Sequence, residues 1–158
     1  MRQIVLNSKY LQMLKSVRNM NFALVYFSRG GNTRKVAEAI AEELQITPID
    51  VKKESPDVSS SDILIIGSGT YGGKPGKQMV AYLENLKPVT EKRAACFTTS
   101  AYVSTKAFTI MKEILANKGY SIIDCFSCFG KFAGLTKKGH RSVEELNQAR
   151  EFAKKLKV

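Results

Sequence analysis

The chain has 158 residues, with 25 lysines and arginines against 14 aspartates and glutamates, for a formal net charge of +11. That length suits one domain with a substantial core, and no apolar run approaches the roughly 20 residues a membrane-spanning helix needs. The three cysteines, Cys96, Cys125 and Cys128, are odd in number and lack a secretory signal, which points to free thiols in a reducing, cytoplasmic compartment and away from a disulfide framework or a zinc site.

Residues 1–19 carry Arg2, Lys9, Lys15 and Arg18 and no acid. Tyr10, Leu14 and Val17 fall on one face of a short basic helix, so this segment reads as an N-terminal extension to a domain over 20–158. Its composition is also that of a mitochondrial transit peptide, whereas the apolar run Ile4-Val5-Leu6 is too short for a signal peptide. Phe22 to Phe27 reads as a buried strand. Val36, Ala37, Ile40, Ala41 and Leu44 then mark one face of a helix over about 32–44. Further strands are expected at about 47–51, 63–66, 93–98 and 121–126.

A second helix is expected from near Pro75, a favourable first-turn residue, with Met79, Leu83 and Leu86 inward. A third, over about 104–117, places Ala107, Phe108, Met111, Ile114 and Leu115 on its apolar face and ends at Gly119. The last opens with a capping box, Ser142 and Glu145, and aligns Val143, Leu146, Ala149, Ala153 and Leu156. Such alternation of strand and helix implies an α/β fold, a parallel sheet covered on both faces. Cys125 and Cys128 form a C-x-x-C in or at the end of an apolar run that reads as the last strand, where residues three apart face opposite ways and are poorly placed to pair.

Three segments follow strand ends, where open α/β sheets bind ligands. The first is Ser28-Arg29-Gly30-Gly31-Asn32-Thr33. A strand runs into a turn of small and hydroxyl residues that opens a helix, so backbone N–H groups and the positive end of the helix dipole converge on one spot. That is a phosphate cradle. The plainer alternative is an ordinary turn with Asn32 or Thr33 as N-cap.

The second segment is Gly67-Ser68-Gly69-Thr70-Tyr71-Gly72-Gly73-Lys74-Pro75. Gly67, Gly69 and Gly72 spell the dinucleotide fingerprint. Gly73 and Pro75, however, delay the helix, and the next strand ends in Thr98-Thr99 without the acid that would hold a ribose. A Walker A motif fails because Pro75 follows Lys74. The third segment is Thr98-Thr99-Ser100-Ala101-Tyr102. His140, the only histidine, sits in Lys138-Gly139-His140-Arg141 with no catalytic partner nearby and reads as a loop or capping residue.

The first segment resembles the phosphate loop of flavodoxins, small proteins that bind flavin mononucleotide (FMN). Their pattern is Ser/Thr-x-Thr-Gly-x-Thr, and Gly30 here replaces the middle hydroxyl. The resemblance runs from about Asn21 to the C-terminus, with Met20 where a flavodoxin chain normally begins. It implies a flavodoxin-like three-layer sandwich, with a five-stranded parallel sheet of order 2-1-3-4-5 and helices on both faces, and FMN as cofactor. Ser28, Arg29, Gly30, Gly31, Asn32 and Thr33 would hold the phosphate. Ser68, Gly69, Thr70, Tyr71, Gly72 and Gly73 would hold one side of the flavin ring, with Tyr71 as a wall and the Gly72 carbonyl facing flavin N5. Thr98, Thr99, Ser100 and Tyr102 would hold the other side, with Tyr102 stacking on it. The lack of a long insertion in the last strand is similar to the short-chain class.

The resemblance further implies a monomeric electron carrier shuttling single electrons between redox proteins, rather than an enzyme. Typical flavodoxins are acidic and dock on basic faces, so a chain of charge +11 implies partners with an acidic docking face. No specific nucleic acid and no membrane is expected as a partner. Two alternatives stay open. One is an FMN-dependent NAD(P)H:quinone-type reductase. The other is a flavin-free regulatory module on the same fold.

Overall fold

The structure, a computed structural model, describes residues 7–18, 20–100, 106–129 and 143–158, with the side-chain surroundings of all these except 14–18 and 129. Tyr102, the 137–141 loop with His140, and Ser142 of the expected capping box lie outside the described residues. In chain order the elements are α1 (Ser8–Arg18), β1 (Phe22–Phe27), α2 (Asn32–Leu44), β2 (Ile49–Asp50), β3 (Ile63–Tyr71), β4 (Lys74–Pro75), α3 (Lys77–Glu84), β5 (Lys92–Ser100), α4 (Lys106–Asn117), β6 (Tyr120–Phe129) and α5 (Val143–Leu156).

The parallel strands run β2-β1-β3-β5-β6. This is the expected order once the short β4 is set aside, since β4 pairs antiparallel with β3 and makes a sixth strand. Alternation along the central strands divides the core. Leu24, Tyr26, Ile63, Ile65, Ala95 and Phe97 pack with residues of α2 and α5. Val25, Phe27, Leu64, Ile66, Ala94 and Cys96 pack with residues of α3 and α4 on the other face. The strands β1 and β3 are apolar on both sides because both sides are covered.

Three expectations are corrected. Strand β3 does not stop at Ile66 but continues to Tyr71. Gly72 and Gly73 form a two-residue hairpin turn with φ of 58° and 78°, and Thr70↔Pro75 and Tyr71↔Lys74 pair across it. Positive φ at both central residues is the hairpin geometry that matches strand twist, and glycine adopts it without a Cβ penalty. Pro75 therefore belongs to β4, and α3 starts at Lys77. Finally, Val143 is 75% exposed. The inward face of α5 is Ala149, Phe152, Ala153 and Leu156, and Phe152 stacks on Phe126 of β6 at 5.4 Å.

The N-terminal segment does form a helix, α1, on which Tyr10, Leu11 and Met13 are exposed. No helix among the described residues is long and apolar enough to cross a membrane.

Candidate functional site

The described candidate residues gather at the C-terminal ends of three adjacent strands. Phe27 lies opposite Ser68, Ser68 opposite Thr98, and Gly69 opposite Thr99. Ser28 to Thr33 follow β1, Ser68 to Tyr71 end β3 with Gly72 and Gly73 at its hairpin tip, and Thr98 to Ser100 end β5.

The loop after β1 turns sharply into α2. Gly31 is the N-cap of α2 with φ 93°, and no side chain caps the helix. This corrects the alternative in which Asn32 or Thr33 caps it. The first turn of α2 also holds no acidic residue. Its leading N–H groups and the positive end of the helix dipole are thus left for an anion. The Ser28 hydroxyl accepts from the Gly31 N–H at 3.1 Å, which keeps its own proton for donation. A Cβ built at Gly30, Gly31 or Gly72 meets nothing within 4 Å, so the surface between loop and hairpin tip is open.

Thr33 and Thr99 join the first and third segments through a buried 2.7 Å contact between their hydroxyls. One hydroxyl donates, and the other retains its proton for a further acceptor. Gly69 is fitted beneath this contact. A Cβ there would lie 2.5 Å from the Tyr71 hydroxyl oxygen and 3.2 Å from Thr33 Oγ1. Thr98 faces Ser127 of β6, with hydroxyls 3.3 Å apart.

Two side chains of the second segment also have partners within the protein itself. The Ser68 hydroxyl donates to the Gly69 carbonyl at 2.8 Å and accepts from the Gly76 N–H at 3.0 Å. It is fully buried and braces the hairpin. Tyr71 turns toward the first loop, where its hydroxyl accepts from the Arg29 backbone N–H at 3.0 Å. The Arg29 guanidinium lies 4.5 Å from the Tyr71 ring centroid, and Phe27 packs edge-on against the same ring at 5.7 Å. Burial pushes the Tyr71 hydroxyl above the usual tyrosine range, against the opposing effect of Arg29, so it is a neutral phenol near pH 7. Thr70 Oγ1 is buried with no hydrogen-bond partner among the described residues. An unpaired hydroxyl in that setting costs on the order of 1–3 kcal/mol unless a ligand or water satisfies it.

Lys52 is a further site residue that sequence reasoning missed. It follows β2, and its ammonium donates to the Ser28 carbonyl at 2.6 Å. The same nitrogen sits 4.0 Å from Asp50 and 5.9 Å from the Phe27 ring centroid. Besides Arg29, a second cation therefore sits against this loop. Among the described residues there is no cluster of metal-ligating side chains. The arrangement can hold a dianionic phosphate ester by backbone N–H groups, hydroxyls and cations, with a planar group beside the hairpin and the end of β5.

Known proteins share this frame. The Flavodoxin domain profile matches residues 23–138. An uncharacterized protein of Methanocaldococcus jannaschii is 32% identical over 135 residues, covering 79% of this chain and 89% of that one. Among solved structures, the flavodoxin WrbA-like protein from Agrobacterium tumefaciens superposes with a TM-score of 0.67 at 22% identity, covering 88% of this chain and 96% of that one. The Fusobacterium nucleatum flavodoxin bound to flavin mononucleotide gives a TM-score of 0.65 at 14% identity, over 86% and 96% of the two chains. Rubredoxin oxygen:oxidoreductase from Desulfovibrio gigas gives 0.67 at 15% identity, covering 95% of this chain but 39% of that one. The profile spans most of the chain, so this chain belongs to the flavodoxin domain family.

Proposed function

We propose that the chain binds FMN at the ends of β1, β3 and β5 and passes single electrons between redox partner proteins. The observation that carries the reading is the uncapped N-terminus of α2, opened by Gly31 in the left-handed region and flanked by Lys52. That is a site built for a phosphate. Family membership supports FMN as the phosphate ester, as does the F. nucleatum flavodoxin bound to it.

The residues present fit the group. The N–H groups of 30, 32 and 33, the Ser28 hydroxyl and the Thr33–Thr99 pair would hold the phosphate, and Lys52 would offset its charge. Displacing the Arg29 N–H from Tyr71 would free one more donor for it. The open backbone at Gly72 would stand on the ring side, and Thr98, Thr99 and Ser100 would supply polar groups opposite. Bound FMN supplies the redox chemistry, and the protein supplies binding, orientation and electrostatics. With a charge of +11, the chain suits partners whose docking face is acidic, and their association would weaken with salt.

The test is reconstitution with FMN followed by anaerobic stepwise reduction under visible absorbance. Retained flavin that is reduced in two separate one-electron steps supports the carrier. A single two-electron step with steady NAD(P)H oxidation replaces it with a reductase. A chain that retains no FMN overturns both.

A further inference from the structure

The cysteine pattern singled out in the sequence, Cys125-x-x-Cys128, is not the pair the fold brings together. Cys128 is buried in the core beneath α2 and α5, whereas Cys125 is exposed. Cys125 instead lies in register with Cys96 of the neighbouring parallel strand β5. Partners in register on parallel strands point to the same face. The ladder is irregular just before this point. Ala94 pairs with Ile122 but Ala95 pairs with Asp124, so Ile123 is an extra residue in β6. Without that bulge, Asp124 would stand opposite Cys96. The bulge therefore sets the cysteine pair, the kind of re-aiming for which bulges occur.

The register sets the two cysteines side by side on adjacent strands. Strand spacing of about 4.8 Å falls inside the range of roughly 4.4–6.8 Å between Cα atoms that a disulfide accepts. One partner is fully buried and the other lies on the edge strand, open to reagents. That asymmetry divides the labour of a thiol exchange.

We propose that Cys96 and Cys125 form a two-electron dithiol–disulfide couple, outside the flavin site, that exchanges with small-molecule disulfides. The Cys125 thiolate attacks one sulfur of the disulfide RSSR. The S–S bond breaks, and RS⁻ leaves to take a proton from water. The Cys125–S–S–R bond is then attacked by Cys96, whose proton goes to the second departing RS⁻. The net change oxidises two protein thiols to the Cys96–Cys125 disulfide and reduces RSSR to two RSH. The electrostatics favour this order of attack. The hydrogen bond from Cys96 and the charge of Lys112 bring the Cys125 thiol down to about 7, while the hydrogen bond to Cys125 and burial hold Cys96 well above the usual thiol range. Thiolates, not thiols, are the nucleophiles.

The test is anaerobic incubation of the reduced full chain with oxidised glutathione near neutral pH, followed by intact-mass and peptide-mass measurement without reduction. The wild-type chain is expected to lose two hydrogens and yield a Cys96–Cys125 linked peptide, leaving Cys128 free. Cys96→Ala is expected to stop at a glutathione adduct on Cys125, and Cys125→Ser to take up nothing. Cys128→Ser is expected to behave as wild type. A wild-type chain that keeps all its thiols, a Cys125–Cys128 linkage, or adducts on Cys128 in place of Cys125 would each overturn the proposal. The wild-type masses decide the matter even if a variant folds poorly.

Discussion

Arg29 and Tyr71 are joined twice across 42 residues of sequence, by a 3.0 Å hydrogen bond from the Arg29 backbone N–H to the tyrosine hydroxyl and by the guanidinium stacked over the ring at 4.5 Å. The pair ties the β3–β4 hairpin to the loop that opens α2. It also occupies a donor that a phosphate in that loop would use. The hydrogen bond contributes about 1 kcal/mol net and has to be exchanged when an anion enters.

Tyr71→Phe removes that competition and keeps the ring. FMN affinity measured by fluorescence quenching is expected to rise about 3- to 10-fold, the equivalent of roughly 1 kcal/mol. Tyr71→Ala, which also removes the wall beside the ring, is expected to weaken binding. A Tyr71→Phe variant as weak as Tyr71→Ala would mean that the hydroxyl itself serves the ligand.

Gly30 stands where the flavodoxin pattern has a threonine. Its φ lies outside the left-handed region, and an added Cβ there meets nothing within 4 Å, so neither backbone nor neighbours require glycine. Gly30→Thr is expected to restore a hydroxyl to the loop and tighten FMN by about 10-fold, the scale of one hydrogen bond to a charged acceptor. Its affinity for riboflavin, which lacks the phosphate, is expected to stay level. Equal gains for both ligands would place residue 30 away from the phosphate.

Lys52→Met removes the cation donating to the Ser28 carbonyl at 2.6 Å. The expected result is an FMN affinity lower by about 10-fold at low ionic strength, a difference that narrows in high salt as screening sets in. Calorimetric titrations at two salt concentrations check it. No change at low salt would confine Lys52 to bracing the loop.

What the sequence makes legible follows the range of the forces involved. The strand–turn–helix at 22–44 is local, set by apolar periodicity and paired glycines, and its position matches the expectation from sequence. The hairpin was readable too, since Gly72-Gly73 between two short runs is a two-residue turn signal, but the density of glycines before it suggested an open loop. Gly67 completes a nucleotide fingerprint that the delayed helix and the missing acid already rule out, and its neighbour is a core side chain. A Cβ there would lie 1.9 Å from the Phe97 ring. Lys52 and the Thr33–Thr99 bond depend on which strands become neighbours, and the Cys96–Cys125 pairing turns on one bulged residue, Ile123. None of these three is written in any local pattern.

The Phe97 contact makes Gly67 a stability position inside the candidate site. Gly67→Ala forces the ring or the β3 backbone to move and is expected to cost about 1–3 kcal/mol as overpacking. For a chain of this size that lowers the melting temperature by roughly 2–4 °C per kcal/mol. Gly30→Ala, with open space at its Cβ, is expected to melt close to wild type. Thermal unfolding followed by circular dichroism separates the two, and equal melting of both variants would show that Phe97 rearranges freely.

The pH dependence of Cys125 tests the asymmetry of the cysteine pair apart from any oxidation. The groups that act on it are Cys96 from β5, Lys112 from α4 and Asp124 from its own strand, the first two favouring the thiolate and Asp124 opposing it. A thiol drawn down to about 7 is mostly protonated in mild acid and mostly ionised by pH 8. Its alkylation by iodoacetamide is therefore expected to accelerate as pH rises through about 7, ahead of an ordinary thiol at roughly 8.5. Cys96→Ala removes the hydrogen-bond donor, and the inflection is expected to move up toward that ordinary value. Lys112→Met is expected to move it in the same direction by less, because its influence ranks below the hydrogen bond. An inflection that stays put in Cys96→Ala would mean that the register pairing of the two strands does not couple the thiols chemically, and that Cys125 owes its acidity to Lys112 and the Cys96 backbone.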